Sequence, residues 1–220
     1  MRNSFLSIFL IAVISLGVAG CAVKVHPVLN SSLGIDAFEN MKKIDPQDVS
    51  IALYIDPKLK DLKVSQKLKM GEYTFQMGDA FSVKLIKAIS YKFRTIILID
   101  TPNYTGDVPI DALMRVGLQD VDVNMDVKSG FSTISTEGYT RLSIRAEIRD
   151  IKENKTVWVG TTQAKETGTH EEMGQMTYQE AGRGFAASID KAIDKALGSL
   201  INQMSKSRNL NLYIDKWEND

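Results

Sequence analysis

The sequence predicts an α+β fold: a mixed, mostly antiparallel sheet with two main helices packed on one face. Three observations predict it. Apolar and polar residues alternate over Val49–Ile55, Val121–Val127 and Leu142–Ile148, the period-two signature of half-buried strands. Apolar residues recur at helical spacing over Phe81–Ile89 and again over Phe185–Met204, which predicts two amphipathic helices. The order is strand, helix, strand, three meandering strands, helix. Antiparallel runs of that kind bury one sheet face beneath their helices.

The chain has 220 residues and one cysteine. Residues 1–20 carry the three parts of a secretory signal. Arg2 is the positive start, Phe5 to Val18 is an apolar run broken only by Ser7, Ser15 and Gly17, and Ala19 and Gly20 are the small residues before a cut between Gly20 and Cys21. The run is shorter than the roughly 20 residues that cross a hydrocarbon core. Leu16-Gly17-Val18-Ala19-Gly20-Cys21 resembles the lipobox of bacterial lipoproteins. The resemblance implies that Cys21 becomes the first mature residue, carries acyl chains such as palmitate, and ties the protein to a membrane. Each buried methylene contributes about 0.8 kcal/mol, and stable anchoring takes more than one chain. Ala22 rather than Asp follows. By resemblance to enterobacterial lipoproteins this implies the outer membrane, with the domain in the periplasm.

With Arg2 removed, 26 basic residues face 27 acidic ones. There is no basic excess to suggest nucleic acid or an anionic membrane surface as a partner. A single cysteine allows no disulfide within the chain, so packing alone holds the fold. Residues 21–47 read as the lipidated cysteine and a flexible tether, punctuated by His26-Pro27, Asn30-Ser31-Ser32 and Asp45-Pro46. As a coil, roughly 26 such residues would span about 25–30 Å.

A single domain is expected over 48–205. Val49, Ile51, Leu53 and Ile55 alternate with Ser50, Ala52 and Tyr54, and Asp56-Pro57 ends that strand. Lys58–Lys69 is lysine-rich and reads as a loop or an exposed edge strand, since lysines blunt edges. A second extended piece follows over Gly71–Met77. Gly78-Asp79 opens a helix, with Asp79 as its cap. Phe81, Leu85, Ala88 and Ile89 form its apolar stripe, with Lys84, Lys87 and Lys92 off that stripe. Thr95–Ile99 is a short β-branched run that predicts a buried strand. Loop chemistry covers Thr101-Pro102-Asn103 and Thr105-Gly106-Asp107, and Val108–Val116 leads into the next element.

Val121, Val123, Met125 and Val127 alternate with Asp120, Asp122, Asn124 and Asp126. Leu142, Ile144, Ala146 and Ile148 alternate with arginines at 141, 145 and 149. The acidic face of the first strand and the arginines of the second are cross-strand neighbours if adjacent, each pair contributing about 0.2–1 kcal/mol. Glu153-Asn154-Lys155 turns the chain into a third strand over Thr156–Lys165. Thr177 and Glu180 have capping-box spacing. Phe185, Ile189, Ala192, Ile193, Ala196, Leu200 and Met204 then form one apolar stripe. The tail, 206–220, alternates Leu210, Leu212 and Ile214 before Trp217.

This order behind a lipobox resembles small periplasmic lipoproteins of the YajG kind. It is more distantly similar to the amino-terminal domain of the TolB translocation protein and to the penicillin-binding-protein activator LpoB. The carrying residues are Val49–Asp56, Gly78–Lys92, the Leu142–Val159 hairpin with Trp158, and Phe185–Met204. These families are not enzymes, and the resemblance implies partner binding or envelope assembly.

The chemical motifs are weak. Gly182-Arg183-Gly184 opens a glycine pattern of dinucleotide-binding loops but lacks the preceding strand and the later acidic residue. The glycines instead fit a helix start that passes close to the sheet. His170-Glu171-Glu172 has only His26 as a second histidine, too few for a zinc site. The acidic strand face is too spread out to enclose calcium. No serine or cysteine nucleophile has a histidine base in a recognisable arrangement. The reading is therefore an anchored structural, assembly or partner-binding protein of the cell envelope, neither an enzyme nor a cofactor carrier. Its partners are the membrane, through the acylated N-terminus, and another envelope protein. The alternative is an auxiliary lipoprotein of a transport system that binds a lipid or small ligand. Candidate contacts are Lys58, Lys60 and Lys67 in the lysine-rich segment, and Leu212 and Trp217 in the tail.

Overall fold

The computed structural model describes residues 23–34, 45–69, 71–130 and 132–219. Gly20 and Cys21 lie outside the described residues. Strands are β1 (Lys24–Val25), β2 (Gln47–Ile55), β3 (Val64–Leu68), β4 (Gly71–Phe75), β5 (Phe93–Ile99), β6 (Ala112–Ser129), β7 (Thr133–Asp150) and β8 (Lys155–Met173). Helices are α1 (Pro57–Lys60), α2 (Met77–Ser90), α3 (Tyr178–Lys206) and α4 (Arg208–Asn219).

Five strands form the main sheet in the order β5-β2-β6-β7-β8, and three form a small one in the order β1-β4-β3. β2 runs parallel to both β5 and β6, while β6, β7 and β8 form an antiparallel meander. The fold is the expected α+β class. β7 is 18 residues long. It outruns the apolar alternation because its upper half buries Thr136 and Thr140, hydroxyls that a pattern of apolar residues does not count. The turn after β7 holds Asn154 at φ 57°, a left-handed conformation that asparagine tolerates.

The core lies between the sheet and the two long helices. Phe81, Leu85 and Ile89 from α2 and Phe185, Ile189, Ile193 and Leu200 from α3 are fully buried with Ile51, Ile144 and Ile148. Complete burial of a Leu, Ile or Phe side chain contributes about 1.5–3 kcal/mol. α3 begins with the expected capping box, Thr177 with Glu180. The glycine reading holds at its start. A Cβ on Gly184 would meet Thr136 Oγ1 at 2.5 Å, and one on Gly168 would strike the Ser188 amide and the Gly184 carbonyl. Helix and strand backbones therefore touch directly at that end.

On the outer sheet face, Arg141 reaches Asp120 at 3.1 Å and Asp122 at 3.6 Å, the expected acid–arginine pairing. All three are about a third to a half exposed, so the contribution is small.

Five expectations are corrected. The strand over Thr95–Ile99 is not buried, because β5 is an edge of the main sheet and Leu98 is 57% exposed. The tether over 21–47 is not free where it is described, because residues 23–34 lie along the domain. Val25 and Leu29 are buried, and Val23 O accepts from Glu72 N at 2.9 Å. The tail is a helix that belongs to the fold. Leu210, Ile214 and Trp217 recur at helical spacing and are buried, whereas the strand-like alternation rested on Leu212, which is 59% exposed. Asp79 sits inside the first turn of α2, and the cap position is Gln76, which makes no side-chain cap bond. Lys84 lies on the buried stripe of α2, not off it.

Candidate functional site at the amino-terminal strap

Residues 23–34 form a strap that first runs parallel to β4 as the edge strand β1 and then follows α2 and α3. Its sequence keeps it extended. The residue before a proline is pushed out of the helical region, and Pro27 packs against Gly182, where a Cβ would come within 2.6 Å of Pro27 Cγ. Beyond Leu29 the strap is held by charge. Asn30 N donates to both carboxylate oxygens of Asp190 at 3.1 Å. Gly34 N donates to Asp194 Oδ2 at 3.0 Å. Ser32 N donates to Asn30 Oδ1 at 2.9 Å, which turns the chain locally, and Lys87 Nζ donates to Ser31 O at 2.8 Å.

Asp190 and Asp194 stand four residues apart on α3 and so share one helix face. Between them sits Lys84 of α2, whose side chain is fully buried. Its ammonium donates to Asp190 Oδ1 at 3.0 Å. It also lies 3.0 Å from Asp194 Oδ1, as a charge contact outside hydrogen-bond geometry. One buried cation is thus enclosed by two carboxylates, and two strap amides satisfy more of their lone pairs. A buried charge survives only when paired and hydrogen-bonded in this way. Burial pushes the Asp194 carboxyl above its ordinary value, against the opposing pull of Lys84. Lys84, Asp190 and Asp194 are thus all engaged within the protein. The arrangement fastens two helices and the strap, and it leaves no aimed nucleophile or base.

The signal for this cluster was present in the sequence. Lys84 follows Phe81 by three residues and precedes Ala88 by four, which puts it on the apolar stripe.

Between strap and α2 runs a groove of about 290 Å³, lined by His26, Pro27, Val28 and Leu29 on one wall and Thr74, Ala80 and Val83 on the other. Val28 is 91% exposed. The groove is a surface feature beside α2.

The structure does not bring the candidate contact residues together. Lys58 and Lys60 are exposed on α1, and Lys60 Nζ pairs with Asp100 at 3.0 Å. Lys67 is exposed on β3, an edge of the small sheet, opposite Glu72. Leu212 is exposed on α4. Trp217 is buried, and its indole N–H donates to Asp150 Oδ2 at 2.7 Å, so its ring serves the fold. His170 Nε2 lies 2.9 Å from Glu172 Oε1 on β8. Among the described residues no group of three or more His, Cys, Asp or Glu is placed to hold a metal ion. Nor is any helix among them long and apolar enough to cross a membrane.

No family model matches the chain, and no curated protein matches it. Solved structures do resemble it. A neuraminyllactose-binding hemagglutinin homolog from Helicobacter pylori is 10% identical, with 88% of this chain and 100% of that chain covered and a TM-score of 0.51. A protein of the DUF330 family from Xanthomonas campestris is 10% identical, with 84% and 100% covered and a TM-score of 0.48. A minor lipoprotein from Acinetobacter baumannii is 13% identical, with 73% and 92% covered and a TM-score of 0.36. At these identities the likeness concerns architecture alone, and of the three only the Helicobacter structure is close enough to support it.

Proposed function

We propose that this chain is a lipid-anchored protein of the bacterial cell envelope, held at the outer membrane with its domain in the periplasm, and that it binds another envelope protein rather than catalysing a reaction. The observation that carries the reading is the lipobox-like run ending at Cys21. It gives the one cysteine a chemical role and places an acyl anchor directly before the strap. The charge cluster that fastens α2, α3 and the strap, and the direct contact of α3 with the sheet, fit a binding module with a filled interior.

The proposed partner contact is the outward side of α4, where Leu212 is exposed while Trp217 faces the core. Cys21→Ala is expected to abolish acylation and to release the domain from membranes, read by N-terminal mass spectrometry and fractionation. Recovery of that variant wholly with membranes, its signal cleaved, would defeat the anchoring reading. Leu212→Asp is expected to change stability by less than about 0.5 kcal/mol, as for exposed sites generally, while crosslinked partners are lost from intact envelopes.

The groove beneath the strap favours a second reading, the uptake of a short apolar ligand. Its volume of about 290 Å³ falls just below the roughly 300–1,000 Å³ typical of ligand sites, so only a small ligand would fit. Co-purification of a lipid or other apolar molecule, lost in Val83→Asp, would select that reading.

A further inference from the structure

We infer that the end of the domain where the strap begins rests on the bilayer surface, and that the opposite end is presented away from it. The inference rests on the lipid-anchored reading above and adds an orientation to it. Val23 is already fastened to the fold through its carbonyl and Glu72 N. Cys21 stands two residues earlier in the sequence. At 3.3–3.6 Å per extended residue, the anchor can be no more than about 7 Å of chain from the body. A coil of the length expected from sequence would have allowed several times that.

The topology defines which surface is then drawn down. β1 pairs with the start of β4, so Val23 lies level with Gly71. A Cβ on Gly71 would meet Val23 O at 2.7 Å and the Tyr178 ring at 3.7 Å, which brings the start of α3 to the same place. Five residues before Tyr178, Met173 closes β8 opposite Thr133, beside the connection between β6 and β7. Gly174 N donates to Ser132 O at 3.0 Å across that end.

The apolar side chains exposed at this end are Met173 at 83%, Val23 at 43% and Tyr178 at 42%. They stand among exposed Lys24 and Lys69. Apolar rings and chains beside snorkelling lysines suit the headgroup boundary. Acidic Glu171 and Glu172 adjoin the same end, so the contact is held by the anchor and by apolar burial rather than by attraction to anionic lipid. The far end is the turn after β7, where Ile151 is 38% exposed beside α4. Eighteen residues of β7 at about 3.3 Å each separate the two ends by roughly 55–60 Å.

The test uses full-length acylated protein in vesicles of phosphatidylethanolamine and phosphatidylglycerol. Met173→Cys and Ile151→Cys each carry a fluorophore, and a nitroxide on the lipid headgroup quenches it. The expected result is several-fold stronger quenching at 173 than at 151. A glycine–serine insert of about 26 residues between Ala22 and Val23 should erase the difference. Equal quenching at the two positions in protein whose acyl chains are verified by mass spectrometry overturns the orientation alone. Absence of acyl chains from Cys21 overturns the anchoring reading and the orientation with it.

Discussion

Two appendages return onto the same domain, and they are held by different physics. The strap over 23–34 is held up to Leu29 by pairing with β4 and by burial of Val25 and Leu29. Beyond Leu29 it is held through charge: two carboxylates that share one buried ammonium accept from its backbone amides. The C-terminal helix α4 is fixed mainly through apolar burial of Leu210, Ile214 and Trp217, with a single buried carboxylate, Asp150, accepting the Trp217 indole. Around its rim Glu153 accepts from Tyr213 Oη at 2.7 Å and from Lys216 Nζ at 2.6 Å. The difference teaches that an element too short to bury much apolar area can still be held by a buried polar cluster. Such a cluster is more fragile to the loss of one member than an apolar face is.

The largest expected effect breaks the strap's cluster. Lys84→Ala leaves two carboxylates together with no cation, and removal of one partner from a buried pair costs about 3–5 kcal/mol. Denaturant titration measures it, and limited proteolysis within 23–34 should accelerate. A loss below about 1 kcal/mol would mean that the cluster is incidental to the strap. The corresponding break at the other appendage is smaller. Trp217→Phe keeps most of the apolar area and removes only the N–H, leaving Asp150 Oδ2 without that donor. A buried acceptor left unpaired costs about 1–3 kcal/mol. Fluorescence-monitored unfolding would miss the lost indole, so circular dichroism is the proper readout.

The smallest effects are those of pH, and they sharpen the contrast because the two appendages respond in opposite senses. Asp194 has a folded value raised by burial above the ordinary 3.8. Its proton-linked contribution is full below the unfolded value and is lost as pH rises through the folded one. The stability cost of Asp194→Asn relative to the wild type should therefore shrink as pH climbs through that window. Glu153 is lowered below 4.5, chiefly by the hydrogen bond from Lys216 and then by that from Tyr213. Its contribution is present above 4.5 and is lost as pH falls through the lowered folded value. Glu153→Gln should flatten the acid limb of the stability curve, measured by denaturant titration between pH 2 and 6. A parallel shift of both variants at every pH would contradict the opposed signs.

Much of the central fold was legible because its elements obey one period each. The strand around Leu142–Ile148 alternates strictly, and the α3 stripe from Phe185 to Met204 never breaks. Its capping box is a local pattern that needs no tertiary information. The appendages were illegible for physical reasons. β1 has two residues, too few for any periodicity to register. α4 carries both patterns at once. Leu210, Leu212 and Ile214 suggest a strand, while Leu210, Ile214 and Trp217 give the helix that burial selects. Lys84 is hard to read because lysine is seldom buried, although its spacing from Phe81 and Ala88 puts it on the stripe. Its partners are about a hundred residues away, and no local window contains them.

The strap also fixes an order of events in time. Asn30 reaches Asp190 across 160 residues of chain, and Gly34 reaches Asp194 across another 160. Contacts of such high sequence separation close late, after the loop entropy between them has been overcome. A chain that emerges amino-terminus first exposes 23–34 long before α3 exists. Residues 30–34 therefore cannot make their contacts with α3 until that helix has been made. The strap closes down only when the last third of the molecule has arrived. Completion of the fold and docking of the strap on α3 are one step, taken after the rest of the sequence is present.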